Sequence, residues 1–344
     1  MAIKVLVVDD SGVMRLLITD ILQQNKSINV IGTASNGNEA VKKTIELNPD
    51  VVVMDMIMGQ YDGVYGVTQI MKQKPTPILL LSSLGNTDLS LILEALDAGA
   101  FDYINKPSKG STKLSDIQER LTRKVILASK ADLSKLGHKQ INVNTNNHTF
   151  SDVLPYDSIV IGSSTGGPSA LEAVISKLPG NLTIPVLIAQ HMPENFIPSF
   201  AQRLNKLNEL EVVVGKKDMK VKGGLIIIAP GNDNMIVSKN RQGEVVISFT
   251  TKRYKEFNDP SVDALMDSVA TVYGKKTIGV ILTGMGKDGT CGIGKIKDKG
   301  GYTIAQDEKT SVVFGMPKAA ITSGKVDSVV PLNEVGGFVV SCLS

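Results

Sequence analysis

"SIVIGSSTGGPSALEAV", residues Ser158 to Val174, passes from an apolar run through a turn of Gly, Ser and Thr into a helix-like pattern. A strand, a glycine-rich turn and a helix in that order serve one of two chemistries. The turn either cradles a phosphate on the helix N-terminus or lifts a serine out as a nucleophile.

The same alternation continues outward from this stretch. "PVLIAQH" (185–191), "GLIIIAP" (224–230) and "TIGVILTG" (277–284) read as further strands, separated by helical segments such as Pro168 to Leu178. "NMIVSKN" and "EVVISFT" flank "RQG" and predict an antiparallel hairpin. Toward the N-terminus, "KVLVVDD", "VIGTA", "DVVVMD", "PILLLSS" and "FDYINKP" are five short apolar runs with helical patterns between them. Continuous apolar runs belong to strands covered on both faces, as in a parallel sheet with crossover helices. Met14, Leu17, Ile18 and Ile21 fall on one helix face, and Ser11 stands at the N-cap position.

The expected fold class is therefore α/β, with two doubly wound domains. Residues 1–123 form a five-stranded parallel domain, and residues 153–344 form a larger, mostly parallel sheet with an antiparallel hairpin edge. Residues 124–152 form a linker, because from about Lys130 to Asp152 the chain is polar, rich in Asn and without a sustained period. A length of 344 residues fits this division, at roughly 100–200 residues per domain.

Composition narrows the function classes. A net charge of +3 with scattered basic residues does not point to nucleic acid. No apolar run approaches the ~20 residues that span a bilayer, so no direct membrane insertion is expected. The start, "MAIKVLVVDD", places two acids where a signal peptide would continue its apolar core, so it reads as a first strand of a cytoplasmic protein. Cys291 and Cys342 lie in unrelated contexts and suggest neither a disulfide framework nor a thiolate metal site. Cys291, beside glycines, reads as a small buried thiol.

The phosphate reading of the glycine turn fails on spacing. Gly162 and Gly167 stand as in G-x-x-x-x-G-K-[ST], but Pro168 occupies the lysine position, and G-x-G-x-x-G is absent. The nucleophile pattern G-x-S-x-G fits Gly162 to Gly166 and puts Ser164 at its centre, although an ordinary glycine-rich turn has the same composition. A serine needs a base. His138 and His148 lie in the expected linker, whereas His191 ends a strand. Asp288 follows another strand in "LTGMGKDG" and would orient the imidazole, or merely cap the next helix. All three residues fall at carboxyl ends of expected parallel strands, where open α/β sheets place their sites. The order Ser, His, Asp departs from that of the α/β-hydrolases.

A second constellation lies in the first domain. Asp9 and Asp10 end the first strand, Asp55 ends the third and Lys106 follows the fifth. In a doubly wound sheet those ends converge at one edge, where a hard divalent cation, most naturally Mg²⁺, would offset the repulsion, although each acid taken alone more commonly marks a solvated loop or a helix cap.

Asp9, Asp10, Asp55, Ser82 and Lys106 resemble the receiver domain of two-component response regulators. The motifs "GSSTGGPSAL", "QHMPENFIPSFAQRLN" and "LTGMGKDG" resemble the chemotaxis protein-glutamate methylesterases. The first resemblance implies phosphorylation of Asp55 by a histidine kinase, Mg²⁺ held by Asp9, Asp10 and Asp55, phosphoryl contacts from Ser82 and Lys106, and a switch reported by Tyr103. The second implies hydrolysis of glutamate methyl esters in the methylated cytoplasmic region of chemotaxis receptors, releasing methanol and needing no cofactor. Ser164 is then the nucleophile, His191 the base and Asp288 its partner, with an oxyanion site from backbone N–H groups near Thr165 and Met285. Deamidation of receptor glutamines is a second activity the resemblance implies. One departure is that Gly59 and Tyr61 stand where receivers usually show Pro and Met, which is expected to loosen the loop. A receiver-coupled transcription factor and a nucleotide-binding module are the rivals; the alternation after residue 152 opposes the first and Pro168 opposes the second.

Overall fold

The computed structural model describes residues 1–82, 89–106, 114–136, 154–256 and 259–344. The chain divides into two compact units, Met1–Lys139 and Gln140–Ser344.

The first unit alternates strictly. It runs β1 (Ile3–Val8), α1 (Gly12–Gln23), β2 (Ile28–Ala34), α2 (Gly37–Leu47), β3 (Val51–Asp55), α3 (Gly63–Gln73), β4 (Ile78–Ser82), α4 (Leu89–Asp97), β5 (Asp102–Asn105) and α5 (Leu114–Ala128). The five strands are parallel in the order β2-β1-β3-β4-β5. Strands β3 and β4 are buried along their whole length, as continuous Val, Ile and Leu runs require of strands covered on both faces. Edge strand β2 is buried only at its ends. Ser11 caps α1 by accepting the Met14 N–H, and Ile18, Ile21 and Leu22 are the residues that helix buries. Helix α5 runs to Ala128, past residue 123 where the linker was expected to begin. A short 3₁₀ turn, Leu133–Lys135, follows it. Residues 137–153 of that expected linker lie outside the described residues, and so do His138 and His148.

The second unit runs β6 (Ser158–Ser163), α6 (Gly167–Ile175), β7 (Val186–Gln190), α7 (Ile197–Lys206), β8 (Glu211–Val214), β9 (Leu225–Ile228), β10 (Asn234–Lys239), β11 (Val245–Thr250), α8 (Val262–Tyr273), β12 (Thr277–Ile281), α9 (Thr290–Asp298), β13 (Tyr302–Gln306), α10 (Met316–Thr322), β14 (Ser328–Val330) and α11 (Leu332–Ser341). Seven strands pair in parallel in the order β14-β13-β12-β6-β7-β9-β8. The expected hairpin forms as β10 and β11, but as a two-stranded sheet of its own rather than on the edge of the main sheet. It packs into the core beside α8, through Met235, Val237 and Ile247 against Leu265, Met266 and Val269.

The chain enters this sheet at its middle. From β6 it moves to β7 on one side and later returns to lay β12 on the other, so the connections reverse direction between β6 and β12. In open α/β sheets a crevice opens at the carboxyl end of such a reversal. Helix α8 presses on β6 where Gly162 carries no side chain: a Cβ there would lie 2.2 Å from Val262 Cγ1. No helix among the described residues is long and apolar enough to cross a membrane.

Candidate active site and acidic cluster

The turn after β6 is locked by backbone bonds on both sides of Ser164. The Ser164 N–H donates to the Thr283 carbonyl at 3.0 Å, and the Gly167 N–H donates to the Ser164 carbonyl at 2.7 Å. Gly166 sits in the left-handed region at φ 74°, where a Cβ would also strike Val312, so this turn demands glycine. Pro168 falls in the first turn of α6, where its missing N–H is no loss.

His191 comes to the same crevice from the neighbouring strand. Ser163 and Gln190 are register partners in β6 and β7, so Ser164 and His191 are the next residues of two adjacent strands. The His191 N–H donates to the Ser163 carbonyl at 3.1 Å. Its ring Nε2 lies 2.8 Å from Asp288 Oδ2. A neutral imidazole can only donate to a carboxylate, so Nε2 carries the hydrogen and Nδ1 is the basic nitrogen.

Asp288 is 2% exposed and fully engaged. Its Oδ2 also accepts the Val262 N–H at 2.7 Å, while Oδ1 accepts from Asp263 N and Gly289 N at 3.0 Å and from Ser261 Oγ at 3.2 Å. Asp288 thus helps cap the start of α8, whose N-cap is Ser261, whereas α9, the helix that follows it, has Gly289 as its N-cap and no side-chain cap. The positive end of α8 favours a carboxylate there. Asn234 supports this arrangement by accepting the Ser261 N–H at 2.7 Å and the Asp259 N–H at 3.1 Å. Sequence reasoning missed Asn234, Ser261 and Thr283. Only Ser261 carries a local signal, as a serine at a helix N-cap.

The loop bearing Met285 passes close to the serine. A Cβ on Gly284 would lie 2.9 Å from Ser164 Cβ, so only glycine permits the approach. The Gly284 N–H is taken by the Val313 carbonyl at 3.1 Å, and among the described residues no acceptor is bonded to the Met285 N–H. Thr165 is buried on the other side of the turn, and the Thr283 hydroxyl donates to its carbonyl at 2.9 Å.

Two groups beside the site titrate unusually. Burial, aided by the Asp288 charge, pushes the Asp263 carboxyl up to about 6, although it accepts the Gly292 N–H at 2.7 Å. Cys291 was expected to be buried, but it is exposed in the first turn of α9. The Asp263 charge, with burial, raises its thiol, so it remains protonated and a poor nucleophile at neutral pH.

In the first unit, Asp9, Asp10, Asp55 and Lys106 meet at the carboxyl ends of β1, β3 and β5. Lys106 Nζ lies 2.7 Å from Asp9 Oδ2 and 2.7 Å from Asp55 Oδ2. Burial works against the Lys106 charge, but its hydrogen bonds to the two carboxylates outweigh that and raise it. Burial raises the Asp55 carboxyl, Lys106 opposes this, and Asp9 adds to it. One carboxylate oxygen from each of Asp9, Asp10 and Asp55 lies within 4.8 Å of the others. Three hard oxygen donors, two buried and one exposed, fit a Mg²⁺ ion that keeps part of its water shell.

Ser82 ends β4 beside them. Its buried hydroxyl has no hydrogen-bond partner among the described residues. Tyr103 is buried in β5, and burial raises its hydroxyl far above the ordinary range. Gly59 adopts φ 67°, which proline, fixed near −65°, cannot reach. The loop therefore takes a turn closed to proline, rather than a loosened version of a proline turn. Tyr61 packs on Tyr65 with ring centroids 4.9 Å apart.

The chain matches the CheB methylesterase family over residues 159–339 and the response regulator receiver domain over residues 5–118. It is 42% identical to the protein-glutamate methylesterase/protein-glutamine glutaminase of Archaeoglobus fulgidus, over 99% of this chain and 98% of that one. It is also 42% identical to the protein of the same name from Thermotoga maritima, over 97% and 96% of the two chains. The crystal structure of the Thermotoga maritima CheB methylesterase catalytic domain is similar with a TM-score of 0.52 and 41% identity, covering 55% of this chain and 99% of that domain.

Proposed function

Because the chain belongs to the CheB methylesterase family and carries a response regulator receiver domain, we propose that it hydrolyses glutamate methyl esters on chemotaxis receptors under the control of Asp55 phosphorylation. Residues 1–123 with the rest of α5, to Ala128, then serve as receiver, the residues from there to 152 as linker and 153–344 as esterase, and the receptor's cytoplasmic region as substrate would put the enzyme in the cytoplasm.

One observation carries the reading: His191, next to Ser164 across β6 and β7, is held at 2.8 Å by an Asp288 carboxylate that four other donors fix in place. In the acylation step Ser164 Oγ attacks the γ-carbonyl carbon while His191 Nδ1 takes its proton. Asp288 stabilises the resulting imidazolium through Nε2. The oxyanion is received by the N–H groups of Thr165 and Met285. Collapse expels methanol, which takes its proton from His191, and water then hydrolyses the acyl-enzyme to a glutamate carboxylate. The same steps on glutamine would expel ammonia, which matches the second half of the relatives' name.

In the receiver, Asp9, Asp10 and Asp55 would hold Mg²⁺, which when bound offsets their charge and that of an incoming phosphoryl group. The Asp55 carboxylate accepts the phosphoryl group from a histidine kinase. Lys106 and the Ser82 hydroxyl, which has no hydrogen-bond partner among the described residues, would contact it.

Methanol release from methylated receptor fragments tests the reading. The intact chain should release methanol and a folded Ser164→Ala chain should not; comparable turnover by both would overturn it.

A further inference from the structure

A glutamine buried at the end of a strand costs stability unless its amide is satisfied. Gln190, the last residue of β7, is 1% exposed. Its Oε1 accepts the Ser163 hydroxyl at 2.7 Å, and its Nε2 donates to the carbonyls of both Ser164 and His191 at 3.0 Å. The amide is planar, so its two N–H vectors are fixed relative to each other. Both bonds survive only while the two carbonyls keep their separation. The turn is also shaped around this side chain: a Cβ on Gly167 would lie 2.0 Å from Gln190 Oε1.

We infer that Gln190 is a positioning residue, whose side-chain amide sets the distance between the Ser164 and His191 backbones and so aligns the serine hydroxyl with its base. The inference rests on the proposed roles of Ser164 and His191. Gln190 is buried behind the two carbonyls, so it acts on the chemical step and not on substrate binding. Misplacement of a reacting group by about 1 Å can cost roughly 100-fold in rate.

The test uses the full chain and a fluorophosphonate probe. Ser164 Oγ forms a bond to phosphorus, fluoride leaves, and His191 takes the serine proton, so the labelling rate reads the alignment without a receptor. Gln190→Met removes the amide and keeps the length of the side chain. It should lower the phosphonylation rate and kcat for methylated receptor peptide by about 100-fold, with KM changed less than about twofold and a cooperative melt retained. A folded Gln190→Met chain with both rates within about twofold of the unmutated ones would overturn the inference. Should that variant not fold, Ser163→Ala decides, since it frees Oε1 and leaves the backbone intact. It should slow phosphonylation by about 3- to 10-fold, the cost of about one neutral hydrogen bond, and unchanged labelling would overturn the inference. If the unmutated chain is not labelled at Ser164, the nucleophile reading fails and takes this inference with it. Labelling without methanol release removes only the proposed substrate, and the comparison of variants still stands.

Discussion

The Val262 N–H donates to Oδ2 of Asp288 at 2.7 Å, the oxygen that also meets the His191 imidazole. The start of α8 and the His191 ring therefore share one acceptor. Asp288→Asn keeps the volume but turns one oxygen into an NH₂ group. Either orientation then points a donor at donors, because Oδ1 faces the N–H groups of Asp263 and Gly289. Turnover should fall by about 10⁴-fold and stability by roughly 2–3 kcal/mol. Methanol release and urea unfolding measure the two effects, and near-normal turnover would sink the assignment.

Gly284→Ala addresses the other side of the serine. The added methyl would lie 2.9 Å from Ser164 Cβ and against the more pliable Met316 side chain, so the loop carrying Met285 must move away. The expected result is a folded protein with kcat lowered by roughly 100-fold and little change in KM. Unaltered kcat would remove the Met285 N–H from the proposed oxyanion site.

Asp263 gives a pH dependence whose sign is fixed. Its carboxyl is raised from 3.8 to about 6, so between those values the folded state holds a proton that the unfolded state has lost. Stability therefore falls as pH rises through that window and levels off above it. Asp263→Asn keeps an acceptor for the Gly292 N–H and removes the charge. It should be more stable than the unmutated chain at pH 7–8, by on the order of 3 kcal/mol, and no more stable below pH 4. The same change should let Cys291 alkylate faster with iodoacetamide at pH 8, because the Asp263 charge is the main brake on that thiol. Equal alkylation rates in the two proteins would show that the brake lies elsewhere.

The acidic cluster is testable by binding and by label. Mg²⁺ should raise the melting temperature of the unmutated chain, since the proposed site exists only where folding assembles Asp9, Asp10 and Asp55. Asp55→Asn should weaken that rise, incorporate no phosphate from a small phosphodonor, and show no change in methanol release when donor and Mg²⁺ are added. Phosphate incorporation at the unmutated level would mean that another acid is the acceptor.

Strand ends were the legible part of this molecule. Apolar runs followed by Asp9, Asp55, Lys106, Ser164, His191 and Asp288 marked which residues would gather at the sheet edges, because a parallel sheet sends every strand's carboxyl end the same way. Three-residue β14 and the mixed-polarity β8 and β13 were too short or too ordinary to stand out. The hairpin was readable as a hairpin, but a local pattern holds no information on which sheet it joins. Asn234 and Ser261 are 27 residues apart and meet through a backbone N–H, a contact that leaves no trace in residue type. Cys291 misled because the glycines beside it are closely packed, Gly292 against Met266 and Gly289 against Ile281 and Val262, while the thiol itself lies on the exposed side of α9.

The pairing of His191 with Asp288 closes a loop of 97 residues, and Asp288 then reaches back to residues 261–263. Contacts between distant parts of a chain form slowly, because loop entropy is lost before the contact rewards it. Helices such as α8 and α9 close their own hydrogen bonds locally and need none of this. During refolding, helical signal should return first and esterase activity last, so recovered turnover is a clock for completion of the seven-stranded sheet.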